Sequence, residues 1–263
     1  MKKLTKYLDN RAEQISAFLE MPADAYNYDT FHVLRVEIKK LKFLIDLIKF
    51  SDDQFKEKKI LRIFAQIFKY AGQVRDIHVE LDVLKKYAKS DLFKKYENKL
   101  LTKKQRGEKK FFLVTGQLDN VMLKETFKEL LLFSKSVTED EVGNYLKKQR
   151  DIIEQHFKKE SLQTEELHEL RKTLKKLTYA ENVMDEKRSQ KKILQESLSD
   201  ILGKWHDNLL VMEHLETALN SKKTTQEEMR FLKNIYLNLV FQNDNYLKII
   251  CSKIDQIRIS LMF

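Results

Sequence analysis

The stretch FHVLRVEIKKLKFLI, residues 31–45, decides the fold class because its apolar side chains recur at helical spacing. The apolar face consists of Leu34, Ile38, Leu41 and Ile45. An adjoining arc of about 80° carries His32, Arg35, Lys39 and Lys42, counted at about 100° per residue. Cations on one helix face repel one another unless water or an anion screens them. The stretch therefore predicts a core helix whose basic face is either simply solvated or in contact with something anionic.

The composition of the whole chain extends this helical prediction. Among 263 residues there are only five glycines and one proline, and 42% of the residues are hydrophobic while 34% are charged. So few helix-breaking residues, with no sustained alternation of apolar and polar side chains, favour long helices over strands. We therefore expect an all-α globular protein.

An internal repeat predicts that the chain consists of two related halves. Residues 31–48, FHVLRVEIKKLKFLIDLI, align without gaps with residues 167–184, LHELRKTLKKLTYAENVM. In both segments His-x-Leu-Arg is followed by Lys-Lys-Leu at the same spacing. We place the halves at residues 1–136 and 137–263, each with about four helices, joined by the polar and acidic stretch near 134–144.

A second pair of motifs follows the first. In each half a glycine precedes an aspartate by four residues, and a cation or histidine stands just before the aspartate. The residues are Gly72, Arg75 and Asp76, and Gly203, His206 and Asp207. An aspartate beside basic residues commonly orients an arginine or histidine through a charged hydrogen bond, which we expect of both aspartates. A glycine inside a helix commonly permits close packing, which we expect of both glycines.

The formal net charge of +10 is distributed unevenly along the chain. Residues 1–136 contain 29 Lys and Arg against 19 Asp and Glu, whereas residues 137–263 contain 21 of each. Excess positive charge favours polyanionic partners. No apolar run is long enough to span a membrane, and the single cysteine, Cys251, fits a reducing compartment. We expect a cytoplasmic protein that has no membrane partner.

In these motifs the chain resembles the CHAD family, the conserved histidine α-helical domain. The resemblance covers nearly the whole chain and implies two pseudo-symmetric four-helix bundles with a basic groove or pore between them. It also implies non-catalytic binding of inorganic polyphosphate, and with it association with polyphosphate granules. Thr178 stands where the family usually has a further cation. The positions that the resemblance implies as polyphosphate-binding are His32, Arg35, Lys39, Lys40, Lys42, Arg75, His168, Arg171, Lys175, Lys176 and His206.

Nucleic acid is the alternative polyanionic partner. The basic run KKYENKLLTKKQRGEKK, residues 94–110, is typical of a solvated helix face, but it also suits a nucleic acid. No helix-turn-helix, zinc-finger or RNA-recognition signature accompanies it. The same run could instead contribute Lys103 or Lys104 to polyphosphate binding, and we include Lys103 among the candidate binding residues.

Metal binding is the second alternative, with His32, Asp76, His168 and Asp207 as candidate ligands. Their spacing lacks a local His-x-x-x-His or Glu-x-x-His signature, and an arginine three residues after each histidine would repel a metal ion. An enzyme acting on polyphosphate would need an acidic metal cluster or a nucleophile with its base, and the sequence has neither pattern. We therefore expect no catalytic residue, no metal and no cofactor.

Overall fold

The computed structural model describes residues 2–87, 94–184, 189–221 and 225–262, of which residues 260–262 are described through their backbone alone. Within these ranges the regular secondary structure is α-helical, apart from one short 3-10 helix at Ala23–Ala25. The α-helices are α1 (Lys2–Glu20), α2 (Tyr28–Ser51), α3 (Glu57–Tyr87), α4 (Lys94–Gly116), α5 (Asn120–Ser136), α6 (Glu139–Phe157), α7 (Thr164–Met184), α8 (Gln190–Leu219) and α9 (Gln226–Met262). The predicted all-α fold class is confirmed.

Local hydrogen bonds set the two ends of α2, the helix that contains the deciding stretch. Asn27 and Thr30 form a capping box, in which each side chain accepts a hydrogen bond from the backbone N–H of the other, at 3.0 and 3.1 Å. After the helix, the carboxylate of Asp52 accepts a hydrogen bond from the backbone N–H of Gln54 at 2.8 Å. The chain turns here before α3 begins at Glu57.

The chain folds into two compact units, and unit 1 consists of Met1–His78, Lys103–Lys148 and Tyr179–Glu186. In this unit α1 packs against α2 and α5. The apolar face of α2 is buried as predicted, since Leu34 and Leu41 are 0% exposed. Burial of each such side chain contributes about 2 kcal/mol to folding. This apolar face therefore fixes the rotation of α2 in the unit, and with it the direction in which the basic side chains project.

Unit 2 consists of Val79–Thr102, Gln149–Thr178 and Lys187–Phe263. Here α8 packs against α9, and the predicted apolar face of α7 is buried. That face consists of Leu167, Leu170, Leu174 and Leu177. Trp205 also belongs to the core of this unit and is 1% exposed. Asn208 is also buried, and its side-chain amide donates a hydrogen bond to the backbone carbonyl of Leu239 at 2.8 Å.

The boundaries between the units lie inside α3, α4, α6 and α7, so each unit combines several separate segments of the chain. The division into halves at residues 1–136 and 137–263 rests on the sequence repeat and stays a prediction. The basic groove or pore implied by the family resemblance likewise stays a prediction. Within the described ranges, no helix is both long enough and apolar enough to cross a membrane.

Candidate anion-binding site

Arg35 of α2 lies against one face of α3 in unit 1. Its guanidinium donates a hydrogen bond through Nη1 to the backbone carbonyl of Phe68 at 2.9 Å, and its Cζ lies 4.4 Å from the centre of the Phe68 ring. The guanidinium also occupies the space beside Gly72, where an added Cβ would come within 2.0 Å of Nη1. Gly72 therefore leaves room for the Arg35 guanidinium beside α3, whereas close helix packing at Gly72 stays a prediction.

Lys42 shares the Phe68 ring with Arg35. Its ammonium nitrogen lies 3.9 Å from the ring centre, within the range of a cation–π interaction. Burial lowers the pKa of Lys42 from its ordinary value, and the positive charge of Arg35 lowers that pKa further. We call this arrangement of Phe68 and Gly72 with the two cations the Phe68 platform. It places two like charges together in a partly buried position.

The other predicted residues of α2 have different surroundings. The Nζ of Lys40 lies 2.7 Å from Oε1 of the buried Glu37, whose second oxygen pairs with Nε of Arg11 at 3.0 Å. The charge of Lys40 thus helps to balance a buried carboxylate. Lys39 is half-buried, and His32 is exposed with its ring stacked at 6.4 Å from that of Tyr28.

Arg75 and Lys103 are the remaining candidates in unit 1. Nη1 of Arg75 lies 3.4 Å from Oδ1 of Asp76, a neighbour on the same helix, and both side chains are partly buried. This contact is long for a charged hydrogen bond, and the orienting role of Asp76 stays a prediction. Lys103 is exposed on α4.

In unit 2 the predicted histidines form a small aromatic cluster. The ring of His168 lies 4.8 Å from that of Trp205 and 5.0 Å from that of His206, which it meets edge to face. Burial lowers the pKa of His168 from its ordinary value, and the charges of Arg171 and Lys172 lower it further. Because an ordinary histidine has a pKa near 6.5, this lowering favours the neutral ring of His168 at pH 7, which can form a hydrogen bond.

The cations of α7 have different surroundings from those of the Phe68 platform. Nζ of Lys175 lies 3.7 Å from Oδ1 of Asp200 on α8. Arg171 and Lys176 are half-buried. Thr178 aligns with Lys42 of α2, and its hydroxyl donates a hydrogen bond to the backbone carbonyl of Leu174 at 2.9 Å. This side chain therefore completes a local bond along its own helix.

The two repeats differ at the glycine. In the described part of the chain, an added Cβ at Gly203 would meet nothing within 4 Å, so the expectation of close packing at this glycine is wrong. Extending the alignment of 71–84 with 202–215 back along the helices places Ser199 at the position of Phe68. Ser199 is buried and has no ring to offer a cation. The platform is accordingly a feature of unit 1.

Phe68 is a functional candidate that the sequence motifs miss, because it lies outside both of them. Its position four residues before Gly72, on the same face of α3, is the available signal. Two further lysines, Lys69 and Lys110, each lie 5.9 Å from the ring of Tyr70 and add positive charge to unit 1. In the described ranges no group of three or more His, Cys, Asp or Glu side chains could hold a metal ion.

Comparisons with known proteins agree with this architecture. A sequence model described as the CHAD domain matches residues 6–216. The fold is similar to the crystal structure of the CHAD domain from the plant Ricinus communis, with a TM-score of 0.80 and 13% identity over 97% of this chain and 91% of that one. It is also similar to PptA from Streptomyces chartreusis, with a TM-score of 0.72 and 10% identity over 96% of this chain and 98% of that one. No curated protein sequence matches the chain.

Proposed function

The chain belongs to the CHAD-domain family, and on that premise we propose that it binds inorganic polyphosphate without catalysing a reaction on it. The observation that carries the proposal is the Phe68 platform, where Arg35 and Lys42 share one aromatic ring in a partly buried position. Two like charges held this close attract an anion, because an anion relieves both their mutual repulsion and the loss of hydration.

The chemistry of the two cations suits phosphate. A guanidinium can make two parallel hydrogen bonds to phosphate oxygens, whereas an ammonium acts as a compact point charge. The charged groups of both residues lie over one ring, at 4.4 and 3.9 Å from its centre, so they can contact neighbouring phosphates. Lys39 lies between them in sequence and adds a third positive charge on the same arc. Several cations on one helix face match neighbouring phosphates of one extended chain better than a single compact anion.

Release of counterions supplies the driving force for binding a polyanion of this kind. The excess of positive charge in residues 1–136 supports unit 1 as the main contributor, because most of that stretch belongs to unit 1. In unit 2 the pairing of Lys175 with Asp200, and the neutral Thr178, leave a weaker positive field. The proposal therefore assigns the stronger contact to Arg35, Lys39 and Lys42. Association with polyphosphate granules in the cytoplasm would follow from such binding.

Nucleic acid is the second candidate, and the exposed cations of α4 favour it. Lys94, Lys95, Lys103, Arg106, Lys109 and Lys110 are all exposed. Lys104 is balanced in part by Glu108, whose Oε1 lies 3.6 Å from its Nζ. A helix with this charge attracts any polyanion, DNA included, without reading its sequence. The platform favours polyphosphate, because its partly buried cations are better suited to a thin chain than to a wide duplex.

The test compares three double variants in titrations with long-chain polyphosphate at several salt concentrations. The first is Arg35→Ala with Lys39→Ala, the second is Arg171→Ala with Lys175→Ala, and the control is Lys124→Ala with Lys128→Ala. The control removes two exposed charges from α5 at the same four-residue spacing. Each removes two positive charges, so a difference between them reports position rather than net charge.

The first variant should lower the affinity most, and it should flatten the salt dependence by about 0.7 in log–log slope for each phosphate that the protein no longer neutralises. The second should lower the affinity less, and the control should change it little. If the first variant had unchanged affinity and slope, the basic face of α2 would be only a solvated surface. If the first two variants lowered the affinity equally, the proposed site would stand, but the two units would contribute equally to binding.

A further inference from the structure

We propose that Phe68 is a positioning residue that holds Arg35 and Lys42 in place for an anion while leaving both of their charges intact. The inference deepens the proposed function and rests on it as far as the ligand is concerned. Its first part, that one aromatic side chain fixes two cations, concerns the protein alone and can be tested in the absence of any ligand.

The geometry gives Phe68 two separate means of holding the cations. Its ring lies under the guanidinium of Arg35 at 4.4 Å and under the ammonium of Lys42 at 3.9 Å, both within the reach of about 6 Å for a cation–π interaction. Its backbone carbonyl also accepts the hydrogen bond from Arg35 at 2.9 Å. Gly72, one turn further along α3, keeps the space beside the guanidinium open. Ring, carbonyl and glycine together restrict where Arg35 can lie.

An aromatic ring differs from a carboxylate in what it does to a neighbouring cation. The ring attracts the cation through its quadrupole and has no net charge, so the positive charge remains available to an anion on the far side. A carboxylate offsets the charge that it holds, as Glu37 does for Lys40 at 2.7 Å. Phe68 therefore gives order without neutralisation, which is what a site for a polyanion needs.

The second repeat lacks this arrangement at both of the required positions. Ser199 stands where Phe68 stands in unit 1, and Thr178 stands where Lys42 stands. The ring and the cation beside it are thus replaced together. In unit 2 the hydroxyl of Thr178 is used by the backbone carbonyl of Leu174. This paired difference indicates that the ring serves the cation and is not merely part of the apolar core.

Order in the free protein affects binding through entropy. Immobilising a long flexible side chain on binding costs free energy, and that cost is smaller where the side chain is already held. Removal of the ring should therefore weaken binding while the number of charges facing the ligand stays the same. In a plot of log affinity against log salt, this predicts a parallel downward shift. Removing a charge, in contrast, changes the slope.

The experiment uses the full chain with Phe68→Leu, with Phe68→Tyr as the conservative variant and Lys42→Ala as the charge-removal control. Affinity for long-chain polyphosphate is measured at several salt concentrations, and the pKa of Lys42 is measured by NMR without ligand. Phe68→Leu should lower affinity by about five- to thirtyfold with an unchanged slope, since both cation–π interactions depend on the ring. Phe68→Tyr should restore most of the affinity, whereas Lys42→Ala should flatten the slope.

The ligand-free measurement separates failure of this inference from failure of the proposed function. In Phe68→Leu, Lys42 should be released towards solvent, and its pKa should rise towards the ordinary value of about 10.4. A pKa of Lys42 that does not move, or an equal reduction of affinity in Phe68→Tyr and Phe68→Leu, overturns the positioning role. If the wild type binds no polyphosphate, the proposed function fails while the pKa comparison still decides the role of Phe68. Should Phe68→Leu not fold, Phe68→Met, which is similar in length and lacks a ring, takes its place.

Discussion

Replacing Gly72 by alanine should separate stability from binding at the Phe68 platform. Alanine in a helix interior is favoured over glycine by about 0.5–1 kcal/mol. At Gly72 the new Cβ would lie 2.0 Å from Nη1 of Arg35, so the guanidinium must move. Because it is the far end of a flexible side chain, it can do so without displacing either helix.

The magnitude follows from the interactions that Arg35 gives up when it moves. Its hydrogen bond to Phe68 is worth about 0.5–1.5 kcal/mol and its cation–π interaction about 0.5–1 kcal/mol. These losses match or exceed the gain in helix propensity, so the free energy of unfolding should fall by at most about 2 kcal/mol. Affinity for polyphosphate should nevertheless fall by about tenfold, equivalent to about 1.4 kcal/mol. The displaced guanidinium no longer lies beside Lys42 on the ring.

Gly203→Ala is the matched control, because an added Cβ there meets nothing within 4 Å among the residues that the structure describes. Gly203→Ala should be stabilised by the gain in helix propensity alone, which raises Tm by about 1–4 °C, and its affinity should not change. Thermal unfolding and calorimetric titration of both variants provide the comparison. If Gly72→Ala gained as much stability as Gly203→Ala and kept its affinity, Arg35 would not be held beside Gly72.

Three other predictions concern charge and chemistry. Because the charged form of Lys42 is penalised in the folded state, Lys42→Met should raise the free energy of unfolding at pH 7. The difference in stability between Lys42→Met and the wild type should shrink as the pH rises through the lowered pKa of Lys42 towards 10.4, because Lys42 is then neutral in the folded wild type. Thermal unfolding of both proteins between pH 7 and 10 measures this difference. Incubation with polyphosphate and Mg²⁺ should release no phosphate above a blank, and turnover abolished by Asp76→Asn or Asp207→Asn would show instead that these aspartates are catalytic. Treatment with a chelator should leave helicity and binding intact, and elemental analysis that found stoichiometric metal removed together with helicity would revive the metal alternative.

The apolar periodicity of the sequence was sufficient to predict the helices and their buried faces. Leu34 and Leu170 are buried as their spacing predicts, because burial of a helical stripe depends on a period that the sequence itself contains. Helix ends are harder to predict, since they depend on individual hydrogen bonds. The turn at Asp52, which separates α2 from α3, is an example.

Side-chain partners in the candidate site could not be predicted in the same way. The pairing of Lys40 with Glu37 and Arg11 depends on how α1 packs against α2. The contact of Arg35 with Phe68 depends on the register between α2 and α3, which periodicity leaves open. Identical motif residues can therefore have different neighbours in the two repeats, as the glycines do.

The relative affinity for polyphosphate and duplex DNA tests the proposed function most directly. Both are titrated against the wild-type protein at equal phosphate concentration and about 0.15 M salt, where exposed charges are screened beyond about 8 Å. The narrow row of partly buried cations predicts tighter binding of long-chain polyphosphate, and Arg35→Ala with Lys39→Ala should remove most of that preference. Equal or tighter binding of DNA by the wild type would contradict the proposal and favour the exposed cations of α4 as a nucleic-acid surface.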